Sequence, residues 1–184
     1  MASQRGRMTA AVVEAVATYG YAGTTVAHIV KGARVSRETF YEHFSSKDEC
    51  FLVAIGSSID ELRGITKAAL DGSHDPVESL DAFLGTYLTW LSERPALAHC
   101  LLLELRGAGR PALKREAEAA AALVGRLATH MGDDDAFASE LFVAALRSTV
   151  AAQLDQGRAD TLPELREPLL RVVRRYLAGQ PVTA

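Results

Sequence analysis

Apolar residues recur at intervals of three and four along almost the whole chain, whereas the alternation typical of β-strands is nearly absent. The periodic runs are separated by Gly, Pro and Ser/Thr/Asp breaks, which predicts about nine helices and no sheet. Four helices fit within residues 1–71 and five within residues 75–179, with a break at 72–75. The pattern therefore predicts an all-α protein.

Several helix ends are predicted by residues that supply or accept terminal hydrogen bonds. Residues 95–105 are apolar on nearly every side, which predicts a buried helix ended by Gly107 and Gly109. The predicted starts are Thr24 or Thr25, Ser36, a capping box at 46–49, Asp75-Pro76, an acidic start at 133–135 and a capping box at 161–164, and the last helix is predicted to stop at Gly179.

The segment from Thr24 to Lys47 has the proportions of a helix-turn-helix motif. A helix patterned to pack over residues 26–33 is followed by a tight turn and a short helix capped by Ser36. In that motif the N-terminal residues of the second helix contact base edges in the major groove. Apolar residues would anchor the short helix, while its polar residues face DNA; the anchors are Phe40 and Phe44, and the polar residues are Arg37, Thr39, Tyr41 and His43.

The charge distribution agrees with this interpretation, although the net charge of −3 over 184 residues argues against a nucleic-acid binder. Residues 1–47 carry six Lys or Arg and three Asp or Glu, a net charge of +3, and the remaining residues carry −6. This asymmetry can orient the basic end toward a polyanion. No apolar run is long enough to span a membrane and residues 1–7 are polar, so we expect no membrane association and a cytoplasmic protein.

The chain resembles the TetR-type transcriptional regulators in the segments E-A-x(4)-G-Y-x-x-T-T-V-x-x-I and V-S-R-E-T-F-Y-E-H-F-x-x-K-D, which begin at Glu14 and Val35. The resemblance implies a homodimer that binds palindromic operator DNA. It also implies a three-helix DNA-binding domain over residues 1–46, joined by a long helix to a ligand-binding and dimerisation domain over residues 47–184. The DNA-contact positions of the family correspond here to Thr25, Ser36, Arg37, Thr39, Tyr41, His43 and Lys47.

Two features depart from the family pattern. The turn position before Val35 is commonly Gly in this family, and here it is Arg34. A left-handed conformation at Arg34 would cost about 1 kcal/mol, and a contact to a DNA phosphate would compensate for it. Glu38 and Glu42 lie on the second helix of the motif, which begins after Ser36 and which we call the reading helix. Each either accepts a hydrogen bond from cytosine N4 or, as we favour, occupies a solvated edge of that helix.

The region from Leu80 to Leu105 is the best candidate for a small-molecule pocket, since such sites have apolar and aromatic walls with a few polar groups. Glu104 is costly to bury unpaired, so it pairs with Arg106 or Arg147, faces water, or contacts a ligand. An apolar or amphipathic effector is expected there. The candidate pocket residues are Phe83, Tyr87, Trp90, His99, Cys100, Leu103 and Glu104.

The last two long helices are the candidate dimer interface, because small residues let helices approach closely. We expect an isologous two-fold contact that forms a four-helix bundle. The predicted interface residues are Phe142, Ala145, Leu146, Thr149, Gln153, Leu169, Val172, Val173 and Tyr176.

No Gly-rich phosphate loop, nucleophile elbow or metal-spaced set of side chains is present in the sequence. We therefore expect neither an enzyme nor a metal or organic cofactor. The sequence indicates a ligand-responsive regulator that a small molecule releases from its operator, most simply a repressor. The alternatives are an activator of the same fold and a non-catalytic helical interaction module.

Overall fold

The computed structural model of the chain describes residues 3–132 and 136–178, and within these ranges it is helical and has no strand. The all-α prediction is confirmed, with nine α-helices in the described residues. They are α1 (Gln4–Gly23), α2 (Val26–Ala33), α3 (Arg37–His43), α4 (Lys47–Leu70), α5 (Pro76–Ser92), α6 (Pro95–His99), α7 (Arg110–Met131), α8 (Phe137–Asp155) and α9 (Arg166–Ala178).

The helices divide into two compact units. The first contains the described residues up to Asp60 together with Arg94–Glu118. Its core lies where α1 packs against α2, with Met8, Val12, Val16 and Ile29 all fully buried. The two phenylalanines at the end of α3 complete this core, which fixes the short helix on the domain.

The second unit contains Glu61–Glu93 and the described residues from Ala119 onward. Here α5 packs against α9 and against a 3₁₀ segment, Ala159–Leu165, that precedes it. Arg166 donates two hydrogen bonds to the Asp81 carboxylate, at 2.6 and 2.7 Å, which lowers the pKa of Asp81. The guanidinium lies across Gly85, where an added Cβ would come within 3.3 Å of it.

The predicted helix caps are confirmed where the capping hydrogen bond is local. Thr25 accepts from the backbone N–H of His28, Ser36 from that of Thr39, and Asp75 from that of Glu78. At the start of α4, Ser46 accepts from the Glu49 N–H as expected, but the Glu49 carboxylate accepts from Ser45 instead of completing the box. Each of these helices therefore starts within a residue of its predicted position.

Two predicted helices differ from the structure. Residues 161–164 lie in the 3₁₀ segment, because the Thr161 hydroxyl donates to the carbonyl of Arg158 and Pro163 has no N–H to be capped. The single buried helix over 95–105 is instead α6 followed by a π-helical segment, Cys100–Glu104, and a 3₁₀ turn, Leu105–Ala108. The predicted helix start at 133–135 and the stop at Gly179 lie outside the described residues.

Candidate functional site

The helix-turn-helix consists of α2, a turn over residues 34–36, and α3. Phe40 and Phe44 are 0% and 2% exposed, and their ring centroids lie 5.7 Å apart, so they hold α3 against the core. On the other sides of α3, Arg37 and Glu38 are exposed and Tyr41 is 52% exposed. The short helix is thus anchored by one face and leaves its polar residues accessible.

The turn contains the left-handed residue that the sequence analysis considered. Arg34 has φ 55° and ψ 50°, and its N–H donates to the carbonyls of Lys31 and Val30. The N–H of Val35 also donates to Val30 O, at 3.1 Å. These bonds satisfy the last carbonyls of α2 and keep Arg34 in a conformation that costs a non-glycine residue about 1–2 kcal/mol.

We predict that Arg34→Gly raises the free energy of unfolding by about 0.5–1 kcal/mol, because glycine adopts this conformation freely but gains entropy in the unfolded chain. Urea unfolding of the full chain measures the change. Arg34→Ala is the matched control, since it removes the same side chain and keeps the strained backbone. A glycine variant that is no more stable than the alanine variant would contradict the strain argument.

The hydroxyl groups of the predicted contact residues are engaged in local hydrogen bonds. Thr25 Oγ1 accepts from His28 N at 3.4 Å, and Ser36 Oγ accepts from Thr39 N at 3.0 Å. The Ser36 and Thr39 hydroxyls also lie 3.0 Å apart. These residues fix the starts of α2 and α3, and a role in contacting DNA stays a prediction.

Lys47 is held more firmly than the sequence suggested. Its Nζ donates to the carbonyl oxygens of Tyr21, at 2.8 Å, and Thr24, at 2.9 Å, and lies 4.7 Å from the Tyr21 ring centroid. Two of its three N–H donors therefore join the start of α4 to the end of α1. The third is the one donor left for the predicted phosphate contact.

Two residues that the sequence analysis missed lie beside the reading helix. Gln4 Oε1 is 3.4 Å from Nε2 of His43, and the Arg5 guanidinium lies 5.3 Å from the Phe44 ring centroid. Both come from the first turn of α1, about 40 residues away in sequence. The basic character of residues 1–47 was the one signal that pointed to this turn.

The seven predicted pocket residues belong to both compact units. Phe83, Tyr87 and Trp90 are buried in the second unit, where the first two rings stack at 5.7 Å and Trp90 Nε1 donates to Glu61 at 2.9 Å. Leu103 and three others belong to the first unit. Their assembly into a pocket stays a prediction.

Glu104 has a partner that the sequence analysis did not consider. Its Oε2 accepts a hydrogen bond from the backbone N–H of Tyr21, at 2.8 Å, instead of pairing with Arg106 or Arg147. The local sequence pattern could not indicate this hydrogen bond, because Tyr21 and Glu104 are 83 positions apart. His99 Nδ1, five residues earlier, is buried and has no hydrogen-bond partner among the described residues.

Both cysteines are buried, and burial raises the pKa of each thiol to about 12. Their Sγ atoms donate to carbonyl oxygens, Cys50 to Met8 and Cys100 to Val13. We predict that neither reacts with a thiol reagent at pH 8, where about one thiol in 10,000 would be ionised, and that both react in denaturant. Fast labelling of the folded chain by Ellman's reagent would contradict this burial.

The predicted dimer residues differ in accessibility. Leu146 and Val173 are 0% and 2% exposed in the single chain, so their assignment to an interface is wrong, because the protomer itself already covers them. Ala145, Val172 and Tyr176 are exposed, whereas Phe142, Thr149, Gln153 and Leu169 are half-buried. Two large exposed side chains of α8, Phe137 and Leu141, were not among the predicted interface residues.

Within the described residues, no helix is long and apolar enough to cross a membrane. Nor do those residues contain a group of three or more His, Cys, Asp or Glu placed to hold a metal ion.

The anchored short helix belongs to a helix-turn-helix, and residues 9–54 match the family model "Bacterial regulatory proteins, tetR family". The match covers about a quarter of the chain, which is similar to the TetR-type regulators over that segment. No curated protein matches it in sequence.

Solved structures with the same fold cover nearly the whole chain. The fatty acid degradation regulator FadR from Bacillus halodurans superposes with a TM-score of 0.84 over 97% of both chains at 19% identity. FadR from Bacillus subtilis, in complex with stearoyl-CoA, gives 0.78 over 91% of this chain and 96% of that one, also at 19% identity. A TetR-like regulator from Rhodococcus sp. RHA1 gives 0.75 over 98% of each chain at 21% identity.

Proposed function

We propose that this chain is a homodimeric repressor that binds palindromic operator DNA through α3 and is released by an apolar or amphipathic small molecule. The observation that carries the proposal is the short helix whose buried Phe40 and Phe44 leave Arg37, Tyr41 and Glu42 exposed. A helix held in this way can enter a major groove without losing its own anchorage. The proposal includes no catalytic role.

The proposed DNA-binding domain is 1–46, and its net positive charge favours approach to the phosphate backbone. Within it, Arg37 is the best candidate for a base contact, because its guanidinium can donate two hydrogen bonds to guanine. The remaining proposed contacts position the domain on the duplex, mostly through phosphates; they are Thr25, Arg34, Ser36, Thr39, Tyr41, His43 and Lys47.

The proposed dimerisation domain lies within residues 47–184 and uses the exposed apolar residues of α8 and α9. These are Phe137, Leu141, Ala145, Val172 and Tyr176, with Phe142, Thr149, Gln153 and Leu169 at their margins. Large exposed apolar side chains mark surfaces that a partner covers. The two-fold axis must place the two copies of α3 about 34–36 Å apart if both are to enter successive major grooves on one face of DNA.

The proposed effector is a long-chain acyl compound, because it has both the apolar and the polar parts expected from the sequence. Two observations support this choice: the buried aromatic cluster of Phe83, Tyr87 and Trp90, and the shared fold of a FadR that holds stearoyl-CoA. Binding of such an acyl compound would move the two copies of α3 away from the spacing that the operator requires.

Selection on random duplex DNA, followed by mobility shift of the selected sequence, tests DNA binding. Stearoyl-CoA is then added, with coenzyme A as the matched control that lacks the acyl chain. We expect stearoyl-CoA alone to release the DNA and to change the fluorescence of Trp90, the one tryptophan in the sequence. Selection of no duplex would reject the DNA-binding role, and release by neither compound would reject the effector.

Transcription in vitro from a promoter carrying the selected sequence separates repression from activation. We expect the protein to lower transcript yield and stearoyl-CoA to restore it. A higher yield with the protein present would identify an activator.

A further inference from the structure

Tyr21 joins three elements of the first compact unit. Its N–H donates to Glu104 of the π-helical segment at 2.8 Å, and its carbonyl accepts from Lys47 at the start of α4 at 2.8 Å. Its hydroxyl donates to Asp48 at 2.5 Å. Gly20, with φ 70° and ψ 162°, interrupts α1 immediately before Tyr21. The helix alone therefore does not fix the position of Tyr21, and these contacts contribute to it.

The side chain of Tyr21 is held on several sides. Its ring lies 5.1 Å from that of Phe51 and under the ammonium of Lys47. Gly107, just after the π-helical segment, approaches so closely that an added Cβ would come within 3.2 Å of Tyr21 Cβ. Burial and the contact with Asp48 raise the pKa of the Tyr21 hydroxyl, so it remains a donor at neutral pH. The junction formed by Tyr21, Lys47 and Glu104 is therefore close-packed and has few alternative arrangements.

The junction bears on the helix-turn-helix because Lys47 also donates to the carbonyl of Thr24, at 2.9 Å. Thr25, the next residue, caps α2. A displacement of Tyr21 would thus reach both the start of α4 and the start of α2, which together carry the reading helix.

We infer that Glu104 is a positioning residue for DNA binding, whose carboxylate fixes Tyr21 and through it the starts of α4 and α2. The inference rests on the proposed DNA-binding function and extends it to regulation. Glu104 and the unsatisfied His99 belong to one short stretch, so an effector that hydrogen-bonds His99 would act on the stretch that holds Tyr21. The hydrogen bond from Tyr21 to Glu104 is the step that transmits the change.

The test compares the full-length wild type with Glu104→Ala and Glu104→Gln for affinity to the selected duplex. The glutamine amide oxygen can still accept from the Tyr21 N–H, whereas alanine cannot. We expect Glu104→Ala to bind about 10-fold more weakly and Glu104→Gln to stay within about threefold of wild type. Electrostatics alone predicts that both variants bind DNA more tightly than wild type, because removing a negative charge favours binding to DNA.

Arg115→Met is the control for a general loss of stability in the same unit. It removes the ion pair between Arg115 and Asp60, at 2.7 Å, which makes no contact with Tyr21. We expect its DNA affinity to stay within about twofold of wild type. A loss equal to that of Glu104→Ala would assign the effect to stability and overturn the inference.

Hydrogen exchange of the Tyr21 amide reports the contact directly. We expect faster exchange in Glu104→Ala than in Glu104→Gln, with the salt dependence of DNA binding unchanged, since no phosphate contact is removed. If Glu104→Ala does not fold, Glu104→Asp replaces it. The aspartate side chain is shorter by one methylene, so its carboxylate does not reach the Tyr21 N–H. Wild-type affinity in the variant would overturn the inference alone, whereas a wild type that selects no duplex would reject the proposed function and the inference with it.

Discussion

Leu141→Arg is expected to yield a monomer and to lower operator affinity by at least about 100-fold. Leu141 is 56% exposed on α8, so a charge there should leave the protomer folded while opposing a like charge across a two-fold axis. Two linked DNA-binding domains bind about 10²–10⁴ times more tightly than one, and a monomer loses that gain. Light scattering gives the mass, and titration of the selected duplex gives the affinity.

Leu113→Arg is the matched control, since it places the same substitution on another exposed leucine, 36% exposed on α7. We expect it to stay dimeric and to bind DNA normally. A dimeric Leu141→Arg variant would remove α8 from the proposed interface. Monomers from both variants would show that added positive charge, not the α8 surface, causes dissociation.

Arg37→Ala is expected to weaken operator binding by about 5–150-fold and to relax sequence preference at one position of each half-site. The reason is the exposed guanidinium in the first turn of α3, where base contacts of this motif originate. Binding to a panel of single-base variants of the selected duplex measures both quantities. An equal loss on every duplex would make Arg37 a phosphate contact.

The neighbouring Glu38→Gln variant should have the opposite effect. Glu38 is exposed beside Arg37, and removal of its charge should strengthen binding at low salt if it occupies a solvated edge. Weaker binding, limited to duplexes with cytosine at one position, would instead show that Glu38 accepts from cytosine N4.

Local sequence signals predicted the parts of the fold that depend on local chemistry. The caps at Thr25, Ser36 and Asp75 each involve residues three positions apart, so the pattern contains both partners. The left-handed Arg34 could also be anticipated, because the turn requires that conformation whatever residue occupies it.

The inward face of α8 could not be predicted because its alanines make several faces equally apolar. Leu146 is buried and Leu141 exposed, although both are leucines on the same helix. Periodicity identifies an apolar face by contrast with polar ones, and this helix offers little contrast.

Contacts between residues distant in sequence were equally out of reach. The sequence predicted that Glu104 pairs with Arg106 or Arg147, faces water or contacts a ligand, and that Lys47 contacts a phosphate. The structure brings both side chains to the backbone of Tyr21, a residue that the quoted motif contains but for which the sequence predicted no contact, and the phosphate contact of Lys47 stays a prediction. Backbone carbonyl and N–H groups are present at every position, so sequence gives no sign of which one a charged side chain will find.

The π-helical turn at Cys100–Glu104 also affects how this chain is compared with its relatives. Each of its backbone hydrogen bonds encloses one residue more than in an α-helix, so the turn contains one residue that regular geometry does not need. A single insertion into an ordinary helix produces this shape and leaves the flanking helix in register. Alignments should therefore place a one-residue gap within 100–104 opposite any relative whose helix is regular, since a gap elsewhere would pair Glu104 with the wrong residue.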